Sequence, residues 1–245
     1  MMSSLRYSLL ACAAMFFADT TSAADIASIQ PIGFSADGHT FAYEEYGIHD
    51  GSGFPYANIY VLDLTNDTFL PGTPFRVRLE QDDATIAKAR WRVRNDAGAV
   101  IESHELANHP AEFVAFNPAT EVDADPHRLR YLSVAALPAI GKPNTLVLEE
   151  LPQPLDPRCE GLISRTVAFR LRFTERDGMP ADEIVHEDRH IPLSRNCVGG
   201  YRLGGIVSGS SGGSTPVEVA LVMVLSAGFE GQDGRWIAIP LNTPR

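Results

Sequence analysis

The sequence predicts a mainly β (α+β) fold: a single β-rich domain of meanders and hairpins with one helix around residues 82–95. Three observations support this prediction. Short runs of β-branched and aromatic residues alternate with polar residues along most of the chain. Asp-Gly pairs and other turn signals separate these runs. One stretch in the first half of the chain instead combines alanine, isoleucine and arginine without such turn signals, which favours a helix.

The first two dozen residues are typical of a cleavable secretory signal peptide. Arg6 precedes an apolar run at residues 8–17, which is too short to span a bilayer. Small residues then lead to a site where signal peptidase would cut, after residue 23 or 24. We therefore expect residues 1–23 to be removed and residues 24–245 to form one β-rich domain that is periplasmic or secreted.

The charge and hydropathy of the chain argue against several classes of partner. The formal net charge is −11, which disfavours nucleic acid and anionic membrane surfaces, because both attract basic patches. After the signal, no stretch approaches the ~20 apolar residues of a spanning helix, so we expect no integral membrane segment in the mature chain. The motif Leu9-Leu10-Ala11-Cys12 resembles a lipobox, however, so lipidation at Cys12 stays open as an alternative.

The opening of the mature chain predicts a β-meander. After the Asp-Gly turn at residues 37–38, Phe41 and Tyr43 alternate with smaller or polar residues at the period of a half-buried strand. A loop rich in Gly, Asp and Pro at residues 47–55 then leads to a second strand at residues 58–64.

The middle of the chain predicts the helix and then a series of strands. Asp82-Asp83 can cap the helix, and residues 95–98 (Asn-Asp-Ala-Gly) would end it. The strands that follow are predicted at residues 128–135, 145–151, 164–174, 183–192, 217–225 and 236–239. A turn at Asp177-Gly178 would join the third of these to the fourth. The run at 217–225 lacks alternation, which suits a central strand covered on both faces. Strands near both ends of the mature chain suggest that the N- and C-terminal segments pair.

Two cysteines remain once the signal has gone, Cys159 and Cys197. An even pair in an exported protein indicates a disulfide. A redox-active or metal-binding thiol pair would favour a tighter spacing such as C-x-x-C, which is absent from the sequence.

The segment His186-Glu187-Asp188-Arg189-His190 matches H-E-x-x-H, the motif of zinc metalloproteases. That motif needs a helix, whereas its inner positions here are charged and Pro192 follows closely. As a strand, the segment would place His186, Asp188 and His190 on one face, which is a conceivable metal site. A solvated strand face is the commoner arrangement. We therefore expect no metal and expect replacement of His186 or Glu187 to be tolerated.

Aromatic residues gather on and beside the loop at residues 47–55. Such a cluster could line a binding surface, or it could fold back onto the sheet as core, which is the commoner outcome. Its members are Tyr43, Tyr46, Phe54, Pro55 and Tyr56. No G-x-S-x-G motif, phosphate-binding loop or dinucleotide fingerprint occurs in the sequence, so catalytic residues and cofactors are predicted as none.

Three stretches carry a resemblance to a known family. They are the opening meander with GFSADG and EEYGIHDGSGFPY, the SRNC of residues 194–197, and the closing GFEGQDGRWIAIP. Together they resemble a family of bacterial predicted secreted proteins, the domain of unknown function 2259. This resemblance implies export and a single domain, and it brings no activity or ligand. The opening meander also resembles one blade of a WD40-like propeller, although a propeller needs at least four blades and no second copy is present.

Together these observations predict an exported, non-enzymatic periplasmic binding or interaction module, with a protein or small ligand as its partner. The alternative is a zinc-dependent hydrolase or metal-binding protein that uses His186–His190.

Overall fold

The computed structural model describes residues 24–210 and 216–242, so the predicted signal peptide and most of the glycine-serine loop near residue 211 lie outside the described residues. The described part contains 13 strands and one α-helix, which confirms the mainly β class. The strands are β1 (Ser28–Phe34), β2 (Thr40–Ile48), β3 (Pro55–Asp63), β4 (Thr68–Phe69), β5 (Phe75–Arg78), β6 (Glu112–Phe116), β7 (Arg128–Tyr131), β8 (Asn144–Gln153), β9 (Thr166–Arg176), β10 (Met179–Glu187), β11 (Val198–Gly209), β12 (Val217–Ala227) and β13 (Gln232–Pro240). The helix, α1, spans Ile86–Ser103.

The strands form three antiparallel sheets. The N-terminal sheet has the order β1-β2-β3-β4, and β5 pairs with the other end of β3. It contains the predicted meander. The central sheet has the order β13-β12-β11-β6, and the outer sheet has the order β10-β9-β8-β7.

The central sheet lies between the other two, and β12 shows this arrangement clearly. Side chains point to alternate faces of a strand, so odd and even positions of β12 meet different neighbours. Val219 and Leu221 pack with residues of the N-terminal sheet, whereas Ala220 and Val222 pack with residues of the outer sheet. All four are fully buried, which confirms the prediction of a central strand covered on both faces.

Helix α1 covers the outer face of the N-terminal sheet. Ala89, Val93 and Ala97 recur every four residues along one helix face and pack against that sheet. The predicted helix limits were wrong at both ends. Thr85, rather than the two aspartates before it, caps the helix by accepting a hydrogen bond from the Lys88 N–H at 3.2 Å. The helix continues past the predicted stop to residue 103, because apolar residues beyond it still pack on the sheet.

A buried carboxylate fastens this helix to the sheet. Glu44 of β2 is 0% exposed and points toward α1. Arg90 donates two hydrogen bonds to its carboxylate, both 2.9 Å long, and Arg94 donates two more. The charge of Glu44 is therefore paired inside the fold.

Several connections follow the sequence prediction, while two predicted strands end early. The hairpin between β9 and β10 turns at Asp177 and Gly178, whose φ values are 50° and 71°. Strand β7 stops at Tyr131 rather than at residue 135, and β10 stops at Glu187 rather than at residue 192. Beyond Glu187, the chain turns toward Pro192 and a short 3₁₀ segment instead of continuing the ladder.

The two ends of the described chain meet only briefly. The expected pairing of the N- and C-terminal segments is present as a single parallel bridge between Ile26 and Gly234 of β13. It does not extend to β1, which belongs to a different sheet from β13. The predicted disulfide is present: Cys159 bonds to Cys197 with a Cα–Cα distance of 5.4 Å, next to the start of β11.

Candidate functional site

A groove of about 550 Å³ lies along the outer edge of β13, between the N-terminal sheet and the outer sheet. Its floor is the stretch Trp236–Ile239. One wall is formed by the N-terminal sheet, including Tyr60 and Arg76, and the other by the outer-sheet residue His186 and the segment around Arg195. Side chains and backbone from all three sheets therefore converge on one space.

The edge of β13 faces this groove. Within the described part of the chain, β13 pairs with no strand other than β12. The even-numbered residues of β13 point their backbone N–H and carbonyl groups away from β12. Gly234 shows this, because both of its backbone groups bond to the N-terminal segment. The Ala27 N–H donates to the Gly234 carbonyl, and the Gly234 N–H donates to the Asp25 carbonyl. The next outward-facing residues are Trp236 and Ala238.

Side chains of β2 form hydrogen bonds with both outward backbone groups of Trp236. The Trp236 N–H donates to Glu45 Oε2 at 2.7 Å, and the Tyr43 hydroxyl donates to the Trp236 carbonyl at 2.9 Å. The Trp236 indole N–H donates to the Ala27 carbonyl at 2.8 Å. These bonds fix the floor of the groove against the N-terminal sheet.

Ala238 differs from its neighbours on the same edge. It is 5% exposed, and its outward N–H and carbonyl have no hydrogen-bond partner among the residues that the structure describes. A buried backbone group without a partner costs free energy, and such groups are rare in folded proteins. The groove thus contains a backbone donor and a backbone acceptor that pair with no described residue of the protein.

Glu45 is a buried carboxylate at the base of the groove. It is 0% exposed, and besides the Trp236 N–H it accepts hydrogen bonds from Asn58 Nδ2 at 3.1 Å and from the Tyr60 hydroxyl at 3.3 Å. Burial raises the pKa of Glu45 above its ordinary value, although these donors and Arg235 act in the opposite direction. A carboxylate held this way in a cleft is a common feature of functional sites.

Aromatic rings extend this wall toward solvent. The Tyr60 ring stacks on the Tyr43 ring at 4.9 Å between centroids, and Phe69 lies 5.7 Å from Tyr60. Phe69 is 46% exposed, and the guanidinium of Arg76 lies 6.0 Å from the Tyr60 ring centroid. The wall therefore offers an apolar surface with a cation at its rim.

The opposite wall contains one of the three predicted metal candidates, His186, which is hydrogen-bonded to a second candidate, Asp188. His186 Nε2 donates to Asp188 Oδ1 at 3.1 Å, and Arg195 Nη1 donates to Asp188 Oδ2 at 2.6 Å. The His186 ring stacks on Phe169 at 4.8 Å. The side chain of Asp188 is only 4% exposed and that of His186 17%, so the prediction of a solvated strand face is wrong here.

His190, the third candidate, is exposed and lies beyond the end of β10. The segment is strand followed by loop, so it does not have the helix that an H-E-x-x-H zinc site requires. Among the described residues, no group of three His, Cys, Asp or Glu side chains is arranged to hold a metal ion.

The predicted aromatic cluster divides between core and surface. Tyr43 and Tyr56 are 1% and 2% exposed and belong to the core, as the commoner interpretation expected. Tyr46 lies under Arg90, whose guanidinium is 3.8 Å from its ring centroid, and Phe54 lies near Arg78. Only Tyr43 of this cluster lines the groove.

Glu45, Arg76 and Ala238 line the groove, but the sequence does not predict them as site residues. A signal for Glu45 was present, because at a period of two it shares the face of β2 that carries Phe41 and Tyr43. A carboxylate on the buried face of a strand is a candidate for function.

Comparisons with known proteins identify the family of the chain. In the described residues no helix has the length and apolar character needed to cross a membrane. Neither a comparison with curated proteins nor one with solved structures gave a match. Residues 42–242 match a family of predicted secreted proteins, the domain of unknown function DUF2259, and the chain belongs to that family.

Proposed function

We propose that the protein is an exported, non-catalytic binding module of the periplasm and that the groove over β13 is its ligand site. The observation that carries this proposal is the composition of the groove. It combines stacked aromatic rings with several hydrogen-bonding groups that point into one space, which is the usual composition of a ligand pocket. Its volume of about 550 Å³ lies within the range that small ligands and short peptide segments occupy.

The chemistry of the groove favours binding over catalysis. A general acid or base must reach a proton on the substrate. Glu45 is 0% exposed and already accepts three hydrogen bonds, and Asp188 already accepts from His186 and Arg195. These groups hold the walls of the groove in place.

The N-terminal segment supports the proposed processing site. Asp25 is buried, and its carboxylate accepts hydrogen bonds from the Tyr56 hydroxyl at 3.0 Å and from Arg235. Cleavage after residue 23 or 24 would retain Asp25 and these contacts, which supports the proposed site. Mass spectrometry of the exported protein should find an N-terminus at Ala24 or Asp25; a lipidated Cys12 would contradict this.

Tryptophan fluorescence offers a direct test of the groove. Trp236 forms its floor, whereas Trp91 is 68% exposed on α1, so a Trp91→Phe variant reports on the groove alone. Fractions of a periplasmic extract would be titrated into this variant, and native mass spectrometry would identify any retained ligand. We expect a saturable change in Trp236 emission for at least one fraction.

A matched pair of substitutions controls for specificity. Ser194→Phe places a bulky side chain in the groove, while Ser103→Phe places the same side chain at the exposed end of α1. The proposal expects Ser194→Phe to abolish the response and Ser103→Phe to leave it unchanged. The absence of a response to every fraction, or equal responses in both variants, would refute the proposed function.

A further inference from the structure

The unpaired edge of β13 indicates which class of ligand the groove accepts. We propose, on the basis of the binding function above, that the ligand is an extended polypeptide segment of a partner protein, which adds to β13 as a neighbouring strand at Ala238. Its backbone would donate to the Ala238 carbonyl and accept from the Ala238 N–H.

The backbone pattern of β13 carries the first step of this argument. Along the outward edge, Gly234 is paired with an extended segment, residues 25–27, in strand geometry. This edge therefore already accepts added backbone. The backbone N–H and carbonyl of Trp236 are bonded to side chains of β2, and Pro240 has no N–H. Ala238, the outward residue between them, therefore keeps both an N–H and a carbonyl that are free of bonds to the described residues.

The chemistry of the two open groups carries the second step. The N–H and carbonyl of one strand residue lie on the same edge and need an acceptor and a donor about 4.8 Å from the strand axis. An extended polypeptide presents this pair at a fixed spacing, whatever its side chains are. Ala238 is only 5% exposed but lines the groove, so an added strand would pair with backbone groups that solvent reaches through the groove.

The walls of the groove carry the third step. Side chains of an added strand would alternate between the two walls. One wall presents the rings of Tyr60 and the half-exposed Phe69, and the other presents the polar groups of His186 and Arg195. The groove therefore suits a strand whose apolar and polar side chains alternate.

The site also limits how far a strand could extend. Residues 25–27 occupy the edge at Gly234, and the side chains of Tyr43 and Glu45 occupy it at Trp236. Strand addition is thus confined to about 13 Å between Trp236 and Pro240, at a rise of roughly 3.3 Å per residue. So short a ladder gives weak and reversible binding, as expected of transient interactions.

The test uses the mature, ¹⁵N-labelled protein and a blocked pentapeptide, acetyl-Thr-Val-Thr-Val-Thr-amide, at millimolar concentration. In the free protein we expect the Ala238 amide to exchange with solvent at least tenfold faster than those of Ile237 and Ile239, which bond within the ladder. The peptide should slow that exchange at least tenfold. The same peptide N-methylated at all five residues should not, because neither edge then keeps an internal N–H to donate to the Ala238 carbonyl.

Two variants separate backbone pairing from contact with the side chain. Ala238→Pro removes the outward N–H and leaves the ladder to β12 intact, and proline is tolerated at such edge positions. It should weaken peptide binding about tenfold, the factor that one backbone hydrogen bond can supply. Ala238→Gly keeps the N–H and should bind as the parent does.

The outcomes also distinguish this inference from the proposed function. An Ala238 amide already protected in the free protein would overturn the inference, as would a pentapeptide that leaves its exchange unchanged or binds Ala238→Pro equally well. If Trp236 emission still responded to an extract fraction in those cases, the groove would bind another class of ligand. If neither assay responded, both proposals would fail.

Discussion

Replacing Asp188 with alanine should destabilise the protein by about 3 kcal/mol, because it leaves a guanidinium largely buried without its carboxylate. The side chain of Arg195 is only 12% exposed, and Asp188 supplies its ion pair at 2.6 Å. Losing one partner of a buried pair costs about 3–5 kcal/mol. We expect the lower end of that range, because Arg195 lines the groove and can turn toward water.

The partner substitution tests whether the two groups act as a pair. Arg195→Met alone should cost about 2 kcal/mol, since Asp188 keeps its hydrogen bond with His186 and can take up a proton. The double variant should cost at least about 1–2 kcal/mol less than the sum of the single ones. Urea denaturation followed by circular dichroism would measure these values; additive losses would refute the pairing argument.

Two histidines provide a matched control for the metal alternative. His186→Ala removes a ring stacked on Phe169 and a hydrogen bond to Asp188, so it should cost about 1–2 kcal/mol. This reverses the expectation from sequence that the change would be tolerated. His190→Ala, at an exposed position, should stay within about 0.5 kcal/mol of the parent. A metal site would instead make both histidines matter and would make the parent sensitive to a chelator.

The pH dependence of the same cluster follows from its pairing. Burial alone would raise the pKa of Asp188, but the hydrogen bonds from His186 and Arg195 outweigh it and hold the pKa below the ordinary value of 3.8. The unfolded chain therefore binds this proton more tightly than the folded protein does. The stability from Asp188 is present above pH 3.8 and is lost as the pH falls through the folded pKa. Asp188→Ala should accordingly flatten the acid limb of the stability curve.

Three further predictions concern other buried groups. Glu44→Ala should cost about 2 kcal/mol in urea denaturation, and removal of both its arginine partners should cost about 3–5 kcal/mol. The difference arises because the partly exposed arginines can be hydrated once Glu44 is gone, whereas the buried carboxylate cannot be hydrated once the arginines are gone. Replacing Cys159 and Cys197 with alanine should cost about 4 kcal/mol, from a sequence separation of 38 residues, and alkylation of the unreduced, denatured parent should label neither cysteine. Burial raises the pKa of Glu45, so the folded protein binds the Glu45 proton more tightly than the unfolded chain does. The parent should therefore lose stability relative to Glu45→Gln as the pH rises from 4.5 through the folded pKa. Curves of unfolding free energy against pH that run parallel for the two proteins would contradict this.

The features that the sequence predicts correctly depend on neighbouring residues. The turn at Asp177-Gly178 needs positive φ at two adjacent positions, and these residue types adopt it most readily. Likewise, the apolar run of β12 lacks alternation because both its faces are covered.

The predictions that failed depend on packing between distant elements. Gly98 is a common stop signal, yet α1 passes through it because residues on both sides pack against the N-terminal sheet. A glycine costs about 1 kcal/mol within a helix, which the burial of a single large apolar side chain can offset. Asp188 similarly looked like part of a charged surface, and its partner Arg195 lies in a separate short segment.

The groove depends on sheet order, which no local pattern specifies. Glu45 accepts a hydrogen bond from the N–H of Trp236, which lies 191 positions away in the sequence. The sequence predicts only an ordinary core position at Ala238, and its side chain is indeed buried like those of its neighbours. Its backbone becomes a candidate binding group for two reasons. β13 lies at the edge of the central sheet, and side chains of β2 bond to the backbone of Trp236 but not to that of Ala238. A one-residue shift of β13 would exchange its faces and its outward backbone groups. The same register therefore sets both the core and the open edge, so a substitution that moved β13 by one residue would remove the groove together with part of the core.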